Sequence, residues 1–147
     1  MAPSSIKTVI AFDYGLHHIG VAVGTRLLQS AQALNILRAR DGVPRWDELE
    51  KLLKEWRPDA VIVGLPLNMD GSESAMSARA RKFAGRLQGR FGVQTHFVDE
   101  RLSSYDAKTQ AAQRGHAGDY IAEPIDSDVA ALLLASWWRS VTPTEGL

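Results

Sequence analysis

Apolar residues along this chain follow two different periods. Val9, Ile10, Ala11 and Phe12 form an unbroken run, and a second run carries Ile19, Val21, Ala22 and Val23. Runs of this kind predict strands buried on both faces, here over 6–13 and 18–25, joined by the turn "DYGLH". A third strand is expected over 30–37 ("SAQALNIL"). The period then changes. Trp46, Leu49, Leu52, Leu53 and Trp56 recur at helical spacing between Pro44 and Pro58, which predicts a helix. "DAVIVGLP" (59–66) returns to a doubly buried strand. Met76, Ala80, Phe83, Ala84, Leu87 and Phe91 make the inner stripe of a long helix over 72–91, closed by Gly92. "VQTHFVDE" (93–100) is a strand and "LSSYDAKTQAAQR" (102–114) a short helix. "GHAGDYIAEP" is loop, a last helix covers 124–139, and the tail "SVTPTEGL" is expected to fray. The order β-β-β-α-β-α-β-α-α predicts the α/β class, with a mixed five-stranded sheet and helices on both faces.

Composition narrows this little. The 147 residues fit one domain, 1–147, with an ordered core over about 6–139. Without cysteine there is no disulfide framework and no zinc-thiolate site. "MAPSSIKTV" lacks the pattern of a secretory signal, and no apolar run approaches the roughly 20 residues of a membrane helix, so a cytoplasmic protein without membrane contact is expected. Lys plus Arg and Asp plus Glu both number 17, which argues against nucleic-acid binding by bulk charge but not against a local basic patch.

Acidic residues at element ends carry the chemistry. Asp13 closes the first apolar strand, where an isolated carboxylate is costly unless paired or metal-bound. Asp99 and Glu100 end the strand 93–100. Both positions are carboxyl ends of strands, the edge where open α/β sheets place their ligands. Adjacent strand residues face opposite sides, so one of Asp99 and Glu100 joins Asp13, and alternation leaves open which. On the last helix, Asp126 lies within about 60° of Val129, Ala130, Leu133 and Trp137, while Asp128 falls on the polar side with Arg139. Asp126 therefore points into the apolar face. Oxygen ligands alone suit a hard cation, Mg²⁺ or Mn²⁺, and two such ions can drive phosphodiester hydrolysis. The plainer alternative makes Asp13 and Asp126 caps and pairs Glu100 with Arg101.

Four stretches, "FDYGLHHIGVAVG", "VGLPLNMDGSES", "DERLSS" and "IDSDVAALLL", resemble in order and spacing the YqgF family over roughly residues 6–139. The resemblance implies an RNase H-like fold and a Holliday-junction-resolvase-like nuclease linked to maturation of the 5′ end of pre-16S rRNA. It implies that Asp13, Glu100 and Asp126 are the catalytic, metal-binding set, which favours Glu100 over Asp99. His18 stands where the family often has Arg, and Ser103 and Ser104 where it often has Thr-Thr.

Further substrate contacts are expected around this set. Arg101 would hold a phosphate or form a structural ion pair. Asn68 in "GLPLNMDGS" would shape the site rim or simply stabilise a turn, with Asp70 or Ser72 capping the next helix. His18 would contribute charge when protonated. Arg79, Lys82, Arg86 and Arg90 form one stripe of the long helix, either a solvated face or a track for a phosphate backbone. The tryptophans are expected to pack, with Trp138 as a base-stacking platform if exposed. The function expected is a divalent-metal-dependent endonuclease acting on precursor rRNA. The alternatives are a resolvase of branched DNA, which needs a homodimer rather than a monomer, and a non-catalytic nucleic-acid- or ribosome-binding protein.

Overall fold

The computed structural model describes residues 6–101, 103–116, 118 and 124–145. The readings made for residues 1–5, for most of the loop 115–124 and for the Ser103 and Ser104 hydroxyls lie outside the described residues and side chains. Strands β1 (Thr8–Asp13) and β2 (His18–Thr25) pair antiparallel, with Asp13 opposite Gly20. Strand β6 (Ala60–Leu65) lies parallel to β1, and β7 (Gln94–Asp99) lies parallel to β6. The sheet is mixed, as expected, and runs β5-β4-β2-β1-β6-β7, with β3 (Gln32–Ala33) also pairing β2.

Alternation along the central strands divides the core in two. Val9, Ala11, Ala22, Ala60 and Ile62 face helices α3 (Ser103–Gln113) and α4 (Asp126–Glu145). Ile10, Phe12, Val21, Val23, Val61 and Val63 face helices α1 (Trp46–Trp56) and α2 (Ala75–Phe91). Covering both faces is what permits the continuous apolar runs of β1 and β6.

Three expectations need correction. The single strand over 30–37 is instead the short β3 and a separate β4 (Leu37–Arg40), both pairing β2. Strand β4 turns back through Asp41-Gly42 into β5 (Val43–Pro44), so the sheet has seven strands rather than five. Both turn residues have positive φ, 49° and 79°, the conformation that Asp-Gly favours in two-residue hairpins. Helix α2 starts at Ala75, not near 72, because Ser74 is its N-cap. The Ser77 backbone N–H donates to Ser74 Oγ (3.0 Å), and the Ser74 N–H donates to Ser77 Oγ (2.8 Å). Helix α4 continues through the expected tail to Glu145; Gly146 is the first glycine after the helix begins.

The tryptophans pack rather than stack on a ligand. Trp138 is buried, and its indole N–H donates to the Ser30 carbonyl (2.8 Å), which removes it as a platform for bases.

Candidate active site

Strands β1, β6 and β7 end at one edge of the sheet, and α4 begins there. Two small residues let α4 reach it. A Cβ at Gly20 would collide with the Asp126 backbone carbonyl, so only glycine allows the first turn of α4 to lie on β2. Ser127 then locks the contact, its buried Oγ accepting from the Val21 N–H at 3.0 Å. Asp126 is thereby held beside the end of β1, where Asp13 stands. From the other side, the Glu100 N–H donates to the Leu65 carbonyl (3.1 Å), extending the β6 pairing by one step. The Glu100 side chain turns inward under Gly64, where a Cβ would collide with its Oε2 and with Leu133.

Asp99 points the opposite way. It pairs with Arg101, whose Nε donates at 2.7 Å and Nη2 at 2.6 Å to Asp99 Oδ2. This pair holds Asp99 below the ordinary carboxylate range. Strand alternation thus resolves as an outward Asp99 and a buried Glu100.

The inward acids are electrostatically strained. Asp13 is raised well above its ordinary value, first by burial, then by the charge of Glu100 and a hydrogen bond to it, then by Asp126. Glu100 is raised by burial and by the charges of Asp99 and Asp126, while its bond with Asp13 opposes the shift. A hydrogen bond between two carboxyls needs a proton, so the two share one. Asp126 is raised by burial and lowered by His18, whose Nδ1 lies 3.7 Å from Asp126 Oδ2. Glu100 Oε2 is buried with no hydrogen-bond partner among the described residues.

The remaining expected contacts divide. His18 sits at the acidic edge. Arg101 is engaged in structure: besides Asp99, its Nη1 donates to the Met69 carbonyl (3.0 Å), tying down the 66–74 loop. Asn68 braces the same loop, its Nδ2 donating to Ser72 Oγ (3.0 Å) and the Glu73 carbonyl (3.2 Å). Arg79, Lys82 and Arg86 are exposed on α2, on the opposite face of the sheet from α4. Arg90 lies over the Trp46 ring at 4.3 Å. Asp128 pairs with Arg114, just past the end of α3 (3.4 Å). Two arginines escape a reading by motif. Leu37 and Ala39 of β4 pack toward α1 and α2, so Arg38 and Arg40 project to the α4 face, with Arg38 directly across from His18. The strand alternation L-R-A-R was the available signal.

A family model described as "RuvX: Holliday junction resolvase" matches residues 7–140. The chain belongs to the RuvX family. This is the YqgF-type family that its four motifs resemble. A Saccharophagus degradans relative named "Putative pre-16S rRNA nuclease" is 51% identical over 138 residues, 94% of this chain and 97% of the relative. A Pseudomonas putida relative of the same name is 49% identical over 140 residues, 95% of this chain and 99% of the relative. The RuvX fold is shared with Thermus thermophilus RuvC solved with a Holliday junction substrate, at TM-score 0.57 and 18% identity, over 94% of this chain and 97% of that one. The fowlpox virus resolvase in complex with junction DNA aligns at TM-score 0.54 and 14% identity, over 90% and 97%. These likenesses bear out the RNase H-like fold.

Does the acidic edge of this RuvX chain suit a divalent cation? No set of three His, Cys, Asp or Glu side chains among the described residues forms a ready-made metal site. The chemistry of the edge nonetheless fits one. Three carboxylates converge, one proton bridges two of them, and one buried oxygen is left without a partner. A cation in place of that proton would satisfy all three conditions.

Proposed function

We propose that this RuvX chain is a phosphodiester-hydrolysing endonuclease that processes the 5′ end of pre-16S rRNA in the cytoplasm, as a single RNase H-like domain. The observation that carries the reading is the Asp13–Glu100 pair, half-buried at Asp13 and buried at Glu100, with an orphan oxygen on Glu100 and Asp126 beside it. A non-catalytic binder would gain nothing from burying carboxylates against one another where a phosphate must approach. Asp13, Glu100 and Asp126 would hold Mg²⁺ or Mn²⁺, two ions in the fullest form. When bound, such ions activate water and offset charge on the leaving oxygen.

The chain's own residues do the rest. Asp13 and Glu100 present anionic oxygen once the proton they share is released to solvent. The missing side chain of Gly64 leaves the space that Glu100 Oε2 occupies. Ser127 fixes the helix that carries Asp126. Arg101 orders the loop over the site rather than meeting the reacting phosphate, and His18 balances Asp126. Branched DNA is the second reading, favoured by the description of the matching family model.

The test is cleavage of a labelled pre-16S 5′ fragment, and of a four-way DNA junction, with Mg²⁺ or Mn²⁺. Wild type should cut the RNA, while Asp13→Asn and Asp126→Asn, still folded, should cut at least about a hundredfold more slowly. Cleavage of the junction alone would move the second reading ahead. Inertness on both substrates with either ion would overturn the nuclease.

A further inference from the structure

On the α2 face, at the same edge of the sheet as the acids, a cleft of about 270 Å³ opens between the 41–43 turn, Tyr14, Trp46 and α2. Arg79, Lys82 and Arg86 line it. Arg79 is steadied by Asp41 at 3.5 Å. Lys82 and Arg86 are exposed and, among the described residues, have no ion pair or hydrogen bond. The chain holds no acidic residue between Glu73 and Asp99, so nothing on α2 itself neutralises them.

The floor of the cleft is built. The Tyr14 hydroxyl donates to the Gly42 carbonyl at 3.0 Å, and the Tyr14 ring packs on Phe83 with centroids 5.0 Å apart. The Trp46 ring is already engaged by neighbours. Phe83 stacks on it at 6.2 Å and 20°, and the Arg90 guanidinium lies 4.3 Å from its ring centroid. A concave, cationic site whose aromatic faces are already in use suits a phosphodiester rather than a nucleobase.

Its position relative to the acids matters more. Asp13 and Tyr14 are consecutive. Asp13 meets Asp126 on the α4 face, and Tyr14 belongs to the core on the α2 face. A strand held at both places must turn over the sheet edge within a short distance. Duplex nucleic acid resists this, since its persistence length is about 50 nm; an unpaired strand does not.

We infer that the Arg79–Lys82–Arg86 cleft is a second phosphate subsite, which grips the backbone of a single-stranded segment of the substrate as that segment folds over the sheet edge from the acidic centre. The inference rests on the nucleic-acid reading proposed above and names its substrate class, an unpaired RNA strand read through its backbone.

The experiment measures binding rather than cleavage, so that the two proposals can fail separately. The probes are a short fluorescein-labelled single-stranded RNA and the same strand annealed to its complement, followed by anisotropy in EDTA across a salt series. Lys82→Glu/Arg86→Glu should weaken single-strand binding about tenfold or more. It should also flatten the log–log salt slope by about 1.4, the value for two lost contacts. The loss should be equal for strands of different base composition. Lys82→Arg/Arg86→Lys should retain binding, and Lys51→Glu/Lys54→Glu, the same charge reversal on α1, should leave it within about twofold. Thermal melts check that each variant is folded. If the cleft variant melts early, Lys82→Gln/Arg86→Gln replaces it.

Single-strand affinity unchanged in the cleft variant overturns the subsite. So does an equal loss for the duplex, or an equal loss in the α1 control. If the cleft governs binding and wild type cuts nothing, the nuclease reading falls and the subsite stands. If wild type cuts and the cleft variant binds normally, the subsite falls alone.

Discussion

Asp13 shows how a single residue can oppose the fold that contains it. Its carboxyl and that of Glu100 sit above their ordinary values of 3.8 and 4.5, chiefly through burial. Acids raised in the folded state contribute stability that is fully present below the unfolded value and is lost as pH rises through the folded one. Without a cation, the protein should therefore lose stability as pH climbs upward from about 4. Asp70, Glu73 and Asp99 are lowered and have the opposite sign, their contribution failing on acidification. They are exposed, so their weight is small. Asp13→Asn removes one partner of the strained pair. Thermal melts in EDTA across this range should show a shallower fall with pH than wild type. Parallel curves would mean that the pair does not carry the effect.

Among the elements, α4 decides whether there is a site at all. It is the only described helix that contributes an acid to the edge, and its entry angle is fixed by Gly20 and by the Ser127–Val21 hydrogen bond. Ser127→Ala strands a buried backbone donor on β2, a loss of about 1–3 kcal/mol, to be read from urea unfolding. Because the same bond positions Asp126, cleavage should drop in folded Ser127→Ala as well. A destabilised variant with full activity would show that the first turn of α4 finds its place without Ser127. The short elements were hardest to anticipate. Strands β3 and β5 have two residues each, too few for any period to register. Leu27 and Leu28, which look like core, stand 92% and 75% exposed in the turn after β2.

For the molecule as a whole, the acidic edge is a point of stored repulsion that ligand binding would relieve. A cation that binds only the folded chain, present at 100 times its Kd, adds about 2.7 kcal/mol. For a chain of this size that is a rise in Tm of roughly 5–10 °C. Mn²⁺ and Mg²⁺ should both raise the Tm of wild type, and Glu100→Gln should abolish the response without unfolding the protein. An identical Tm in EDTA and in excess Mn²⁺ would remove the basis for a metal at this edge. Two cores, one on each side of the sheet, flank the edge, with α4 and α3 closing one face and α1 and α2 the other.

Periodicity alone determined the α/β class, the central strands and the apolar faces of α1 and α2, because burial on a strand or helix imposes a repeat that a single sequence displays. It also separated Asp126 from Asp128, since a helix wheel fixes direction relative to an apolar stripe. It could not separate Asp99 from Glu100. Alternation assigns opposite faces without saying which face is inward, and at a strand end no further residues break the tie. Only the tertiary structure decided that Arg101 pairs with Asp99 and not with Glu100. Only there did Asp13 meet Glu100, and only there did the basic stripe of α2 become a cleft across the sheet from the acids. Those outcomes depend on contacts between residues far apart in the chain, set by how the sheet and α4 dock, and no local pattern carries that information.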